Sequence, residues 1–185
     1  MPEGERSAGS TGEWVLLSYR LPREPSTPRI ALWRKLKRCG VAQLGDGLVA
    51  LPADARTREQ LEWIAEEVVE AAGTAGVWLA RPAGAAQERA LAQQMADARA
   101  EEYAALAADA REALGAPGAE RVRALRRLRT RWRETTRRDF FPPPQREAAA
   151  AALRELGDAV QDGAAQDGAV QDGAVQDGAV QGVGA

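Results

Sequence analysis

Three observations predict an α+β fold. A strand-like segment, Trp14 to Leu21, opens the patterned part of the chain with β-branched and aromatic residues. Strand-like and helical stretches then alternate as β-α-β-β-α-β up to about residue 82. From residue 86 to 157 the chain is alanine-rich, with apolar residues recurring at helical spacing.

Each element has its own signal. Pro22 and Pro25 break the first strand, and Thr27 followed by Pro28 reads as a helix N-cap with proline in the first turn. That helix carries Ile30, Trp33 and Leu36 on one side and stops near Gly40. Val41 to Leu44 and Leu48 to Leu51 flank Gly45-Asp46-Gly47, which predicts a β-hairpin. Thr57 with Gln60 resembles a capping box, ahead of Leu61, Ile64, Ala65, Val68 and Ala72 at helical spacing. Gly73 and Gly76 flank the exit of that helix, and Val77 to Ala80 is a fourth strand. This order over residues 13–82 is the ferredoxin-like one, a four-stranded antiparallel sheet with two helices on one face. A sheet wet on one face alternates apolar and polar residues, yet here both registers are apolar: Trp14 and Leu16, Val15 and Leu17, Trp78 and Leu79. The second face is therefore expected to be covered, by the C-terminal helices or by a second subunit.

In the region 86–157, Gln87 to Leu114 aligns Leu91, Met95, Ala98, Leu106, Ala110 and Leu114, and Gly115 to Gly118 stops the helix. A second helix, Glu120 to about Arg138, aligns Val122, Leu125, Leu128 and Trp132, so the two form a helical hairpin. Phe140-Phe141 and three prolines end it, and Gln145 to Leu156 is a short C-terminal helix. Residues 1–12 read as a disordered leader. Residues 158–185 read as a disordered tail, because Ala-Val-Gln-Asp-Gly repeats with a period of five and offers no large side chain for a core. The spacing is wrong and the carboxylates too sparse for calcium-binding repeats.

Composition excludes several chemistries. With no histidine and a single cysteine, Cys39, the 185-residue chain lacks the usual zinc sets and His-activated nucleophiles, and an internal disulfide is impossible. No metal and no cofactor is expected, and the chain reads as non-enzymatic. There is no membrane-length apolar run and no signal-peptide core, so a cytoplasmic location is expected. The net charge of -2 requires any nucleic-acid contact to come from a local basic face.

Such a face exists. Arg123, Arg126, Arg127, Arg131, Arg133, Arg137 and Arg138 are set roughly opposite the stripe of Val122, Leu125, Leu128 and Trp132, with Glu134 the one acid among them. Guanidinium groups grip phosphates and other oxyanions bidentately, so nucleic-acid or oxyanion binding is one reading. A solvated face pairing with nearby glutamates is the other. Arg34, Lys35 and Arg38 repeat the pattern on the first helix, opposite Leu32, Trp33, Leu36 and Cys39. Trp63 stands among Glu59, Glu62, Glu66, Glu67 and Glu70, opposite the apolar stripe of its helix, and is expected to dock on another element or a partner subunit. Cys39, on the apolar side of its helix, reads as a buried inert thiol, and Asp46 as a turn residue.

An ordered series of segments resembles the N-terminal domain family of the chromate-resistance regulator ChrB. It comprises Trp14-Val-Leu-Leu with Leu21-Pro22, Arg29 to Gly40, Val49 to Pro52, Leu61-Glu62-Trp63 and Arg138-Asp139-Phe140-Phe141. The resemblance implies a chromate-responsive repressor that binds the promoter of an efflux operon, with chromate or sulfate as possible oxyanion ligand. Full-length members carry a second, C-terminal chromate-resistance domain, where this chain has its repeat, so a stand-alone N-terminal module is also in view. The DNA role of the individual arginines is inferred from charge. Three classes remain: a dimeric DNA-binding regulator joined through the sheet or the helical hairpin, a protein-interaction module without DNA binding, and a metal-dependent nuclease. The nuclease needs an acid at the end of the first strand, where Ser18, Tyr19 and Arg20 stand.

Overall fold

The structure, a computed structural model, describes residues 12–177, with side chains described through residue 163. The chain is α+β. Its elements are β1 (Trp14–Arg20), α1 (Thr27–Cys39), β2 (Ala42–Gly45), β3 (Leu48–Pro52), α2 (Ala55–Glu70), β4 (Thr74–Ala80), α3 (Ala85–Leu114), α4 (Gly118–Arg137) and α5 (Gln145–Asp177). They fall into two compact units. One is formed by the described residues up to Arg99 with Arg138–Pro143, the other by Ala100–Arg137 and the described residues from Pro144 onward.

The first unit holds an antiparallel sheet in the order β2-β3-β1-β4. Leu17 of β1 lies between Val49 of β3 and Val77 of β4, and Leu16 between Ala50 and Trp78. Val15, Leu17, Val49 and Leu51 share one core with Leu32 and Leu36 of α1 and Leu61, Ile64 and Val68 of α2. Each such aliphatic side chain contributes about 1.5–3 kcal/mol by leaving water. Alternation turns Trp14 and Ala50 the other way, and both are buried as well. Trp14 stacks on Phe141, with ring centroids 6.0 Å apart. Leu91 and Met95 of α3 join the same core. The apolar second register is thus covered at Trp14 by the segment that follows α4, whereas Trp78 on β4 stays 61% exposed.

Several local expectations are corrected. The N-cap of α1 is Ser26, not Thr27, and its side chain makes no capping hydrogen bond. The buried stripe of α1 is Leu32, Leu36 and Cys39; Ile30 and Trp33 point to solvent, because 100° per residue sets them on the far flank. Gly40 ends the helix at φ 74°, and a Cβ there would lie 2.8 Å from Cβ of Arg138, so glycine is required twice over. The capping box of α2 is Asp54 with Thr57, not Thr57 with Gln60. The Thr57 amide donates to Asp54 Oδ1 at 2.6 Å, the Asp54 amide donates to Thr57 Oγ1 at 2.9 Å, and the buried hydroxyl donates to Pro52 O at 2.7 Å. The hairpin closes on Asp46-Gly47; Gly47 has φ 76°, and a Cβ on it would sit 2.3 Å from Tyr19 O. Strand β4 begins at Thr74 and includes Gly76, which pairs with Ser18, instead of beginning after it.

In the second unit α3 and α4 form an antiparallel hairpin. Thr135 Oγ1 donates to Glu102 Oε2 at 3.0 Å, the Tyr103 and Trp132 rings are 5.2 Å apart, and Arg131 pairs with Asp109, so partners run in opposite directions. The buried side of α3 passes through Tyr103, Leu106, Ala110 and Ala113, and earlier, in the first unit, through Arg99, while Ala98 of the expected stripe is exposed. Helix α5 adds Ala149, Ala152, Leu153 and Leu156 to this core. It is not short: the backbone stays helical to Asp177, through most of the five-residue repeat. Extending a formed helix costs far less than nucleating one, and the repeat's alanines offset part of the glycine penalty of about 1 kcal/mol each. The rest of the expected leader and tail, residues 1–11 and 178–185, lies outside the described residues.

Candidate nucleic-acid interface

Helix α4 builds the basic surface because its apolar positions fall on one arc. Ala124, Leu125, Leu128 and Thr135 are buried, which turns Arg123, Arg126, Arg127, Arg133 and Arg137 to solvent over about 120° of the helix. Thr130 and Glu134 sit within that arc; the Thr130 hydroxyl donates back to Arg126 O and accepts from Arg133 Nη2 at 3.2 Å.

The arc has two flanks of different character. Arg123, Arg127 and Arg131, with Glu120 of the same helix, line a groove of about 930 Å³ whose other wall includes Asp109 and Glu112 of α3. Arg131 is half-buried and ion-paired to Asp109, so one guanidinium of this flank is already held within the chain. Arg126, Arg133 and Arg137 form the opposite flank, away from those acids. Arg121 is spent on structure, with Nη1 donating to Ala159 O and Nη2 to Ala116 O, each at 3.1 Å.

The remaining basic candidates lie in the first unit. Arg34 and Arg38 are exposed, and Lys35 pairs with Glu67 of α2. Arg34 also lines an open pocket of about 630 Å³ with Tyr19, Ile30, Trp33 and Asp46. Lys37 stands 4.2 Å over the Trp33 ring. Burial, with a smaller contribution from the Asp46 charge, holds the Tyr19 hydroxyl above its ordinary pKa. Arg138 does not extend the arginine face. It lies beyond α4, half-buried, and donates from Nη1 to Lys37 O at 2.9 Å, closing the carbonyl end of α1. Trp63 is 59% exposed on the outer side of α2, where Arg58 pairs with Glu62.

Cys39 is buried; Gln60 Nε2 lies 3.0 Å from its sulfur. Burial pushes its thiol pKa up, against the lowering pull of Arg38, Lys35, Arg138 and Arg56. Among the described residues no three or more His, Cys, Asp or Glu side chains gather as a ligand set for a metal ion. No helix among them is long and apolar enough to cross a membrane. Two features escape a reading of the sequence. Asp109 and Glu112 of α3 face the arginine row, for which their three-residue spacing was the signal. Buried Arg99 sits against the end of α1, near Gly40, and its only mark is an arginine within an apolar stripe.

Residues 29–114 match the family described as "Protein ChrB, N-terminal". The matched segment begins in α1 and ends with α3, so it contains Arg34, Lys35, Arg38 and Trp63 and stops short of the arginine helix. No curated protein and no solved structure matches the chain.

Proposed function

We propose that this chain is a regulatory protein of the chromate-resistance type that contacts DNA phosphates through α4. The observation that carries the reading is the exposed arc of Arg123, Arg126, Arg127, Arg133 and Arg137, which a chain of net charge -2 concentrates on one helix. The family match supports the regulatory half of the statement. The element order β-α-β-β-α-β with sheet order β2-β3-β1-β4 supports a ferredoxin-like assignment for the first unit. Arg126 and Arg133 are the leading phosphate contacts, since Asp109 and Glu112 across the groove compete for Arg123, Arg127 and Arg131. Arg34 and Arg38 are secondary candidates for DNA or for an oxyanion such as chromate or sulfate.

The test is binding of the full chain to the DNA upstream of its own gene, against random duplex, at low salt. The reading expects binding to be lost in Arg126→Glu/Arg127→Glu with the helical circular dichroism unchanged. A second reading, a protein-interaction module without DNA binding, is favoured by one observation, the exposed ring of Trp63. It expects no DNA binding by the wild-type chain and loss of partner capture in Trp63→Ala.

A further inference from the structure

The two edges of the sheet are treated differently. Strand β2 is an edge of four residues, Ala42–Gly45, with a register shift between Gln43 and Gly45. Short length and irregular register are standard means of blunting an edge against further pairing. Strand β4, the opposite edge, has none of these. Its seven residues, Thr-Ala-Gly-Val-Trp-Leu-Ala, are regularly paired to β1 throughout and include no charge and no proline. Two large apolar side chains, Trp78 and Leu79, are more than half exposed on it.

We infer that β4 is the interface for a second copy of this chain, pairing edge to edge and antiparallel about a two-fold axis beside Val77. The axis follows from geometry. Opposed residues in an antiparallel pair share a face of the sheet, so a two-fold perpendicular to the sheet must pass beside a residue and not between two. Using all seven residues places it at Val77, the midpoint of Thr74–Ala80. Each large side chain then meets a small one: Trp78 stands opposite Gly76 of the second copy, and Leu79 opposite Ala75. No like charges are opposed, because the strand has none. The strand is therefore complementary to itself, which is what an isologous interface requires.

The neighbouring surface extends the match. Trp78 is held ready: its Nε1 donates to Ser18 Oγ at 3.2 Å, and that hydroxyl donates to Gly76 O at 3.3 Å. The ring thus needs little ordering on association. On the helical face, Gln60 and Glu67 of α2 reach Cys39 and Lys35 of α1. Val69, about 160–180° around α2 from them, faces away from α1, on the flank nearer the β4 edge, and is 58% exposed. Val69 and Leu79 are thus an apolar pair beside the axis on one face, and Trp78 lies on the other.

The test uses the full chain. Analytical ultracentrifugation should give about twice the 19.8 kDa of one chain at tens of micromolar. Leu79→Lys, at an exposed position, should weaken association at least about tenfold with the circular dichroism unchanged. In a Cys39→Ser background, Val77→Cys should cross-link to itself on mild oxidation, and Leu44→Cys on the β2 edge should not. A monomer at every concentration overturns the inference. So does a dimer that Leu79→Lys leaves intact and Val77→Cys fails to cross-link. DNA binding is a separate readout and fails or holds independently.

Discussion

In the first unit the core is filled by large side chains, Trp14, Leu17, Leu51, Leu61 and Ile64 among them, whereas six core positions of the second unit are alanines. The sheet unit takes its specificity from shape, with branched and aromatic groups interlocked between strands and helices. The helical unit takes it from close approach, with Ala107, Ala110, Ala124, Ala149 and Ala152 admitting neighbouring helices where a longer side chain would hold them apart. The surfaces differ in step. The sheet unit leaves Trp33, Trp63 and Trp78 in water beside Arg34 and Arg38, whereas the exposed side of α4 is a row of arginines. The two readings proposed for the chain rest on that difference, protein contact on exposed Trp63 and phosphate contact on the α4 arginines.

The largest expected effect comes from deleting the keystone of the first unit. Trp14→Ala removes the ring stacked on Phe141 and should cost about 3–5 kcal/mol, measured by chemical unfolding with hydrogen exchange localising the loss to β1, β3 and β4. A loss below about 1 kcal/mol would break the contrast drawn for the sheet unit. The second unit should fail the opposite way, by overpacking. Ala110→Leu should cost about 1–3 kcal/mol, whereas Ala104→Leu, at an exposed site on the same helix, should be neutral within about 0.5 kcal/mol. Next in size is the α2 cap: Asp54→Ala should cost about 1 kcal/mol.

The smallest effect is with pH. Folding raises the pKa of Cys39 above 9.0 and of Tyr19 above 10.0, the ordinary values, so the folded state holds these protons more tightly than the unfolded state. Their contribution is complete below about pH 8 and is lost as pH climbs through and beyond those values. Stability should therefore be flat in these groups near neutrality and fall on the alkaline side. Cys39→Ser should flatten the earlier part of that fall, and native Cys39 should react with thiol reagents far more slowly than the unfolded chain.

How much of this was legible in the sequence depended on the kind of signal. The alternation of elements was plain, because proline and glycine punctuate it at Pro22, Gly40 and Gly73. The α4 arginine arc was legible too, since periodicity fixes which side of a helix is wet. Caps were misplaced by one to three residues, because Ser26, Thr27, Asp54 and Thr57 are all competent cap residues and only the tertiary path selects among them. The first helix was misjudged at Trp33, since a tryptophan is read as core unless the facing strands are known. The length of α5 was missed because five-residue periodicity carries no stripe, while helix propagation does not need one. Helical periodicity carried one residue too far puts Arg138 on that face, whereas α4 ends at Arg137 and the Arg138 guanidinium donates to Lys37 O.

The central claim is that α4 presents its arginines to phosphate, and the salt dependence of DNA binding tests it most directly. The logarithm of affinity against the logarithm of salt should be linear, with a slope of about 0.9 for each phosphate contacted. Arg126→Ala should lower that slope by about one unit, and Arg131→Ala, whose side chain Asp109 already holds, should leave it nearly unchanged. Equal slopes for wild type and Arg126→Ala, or no binding at low salt, would contradict the account.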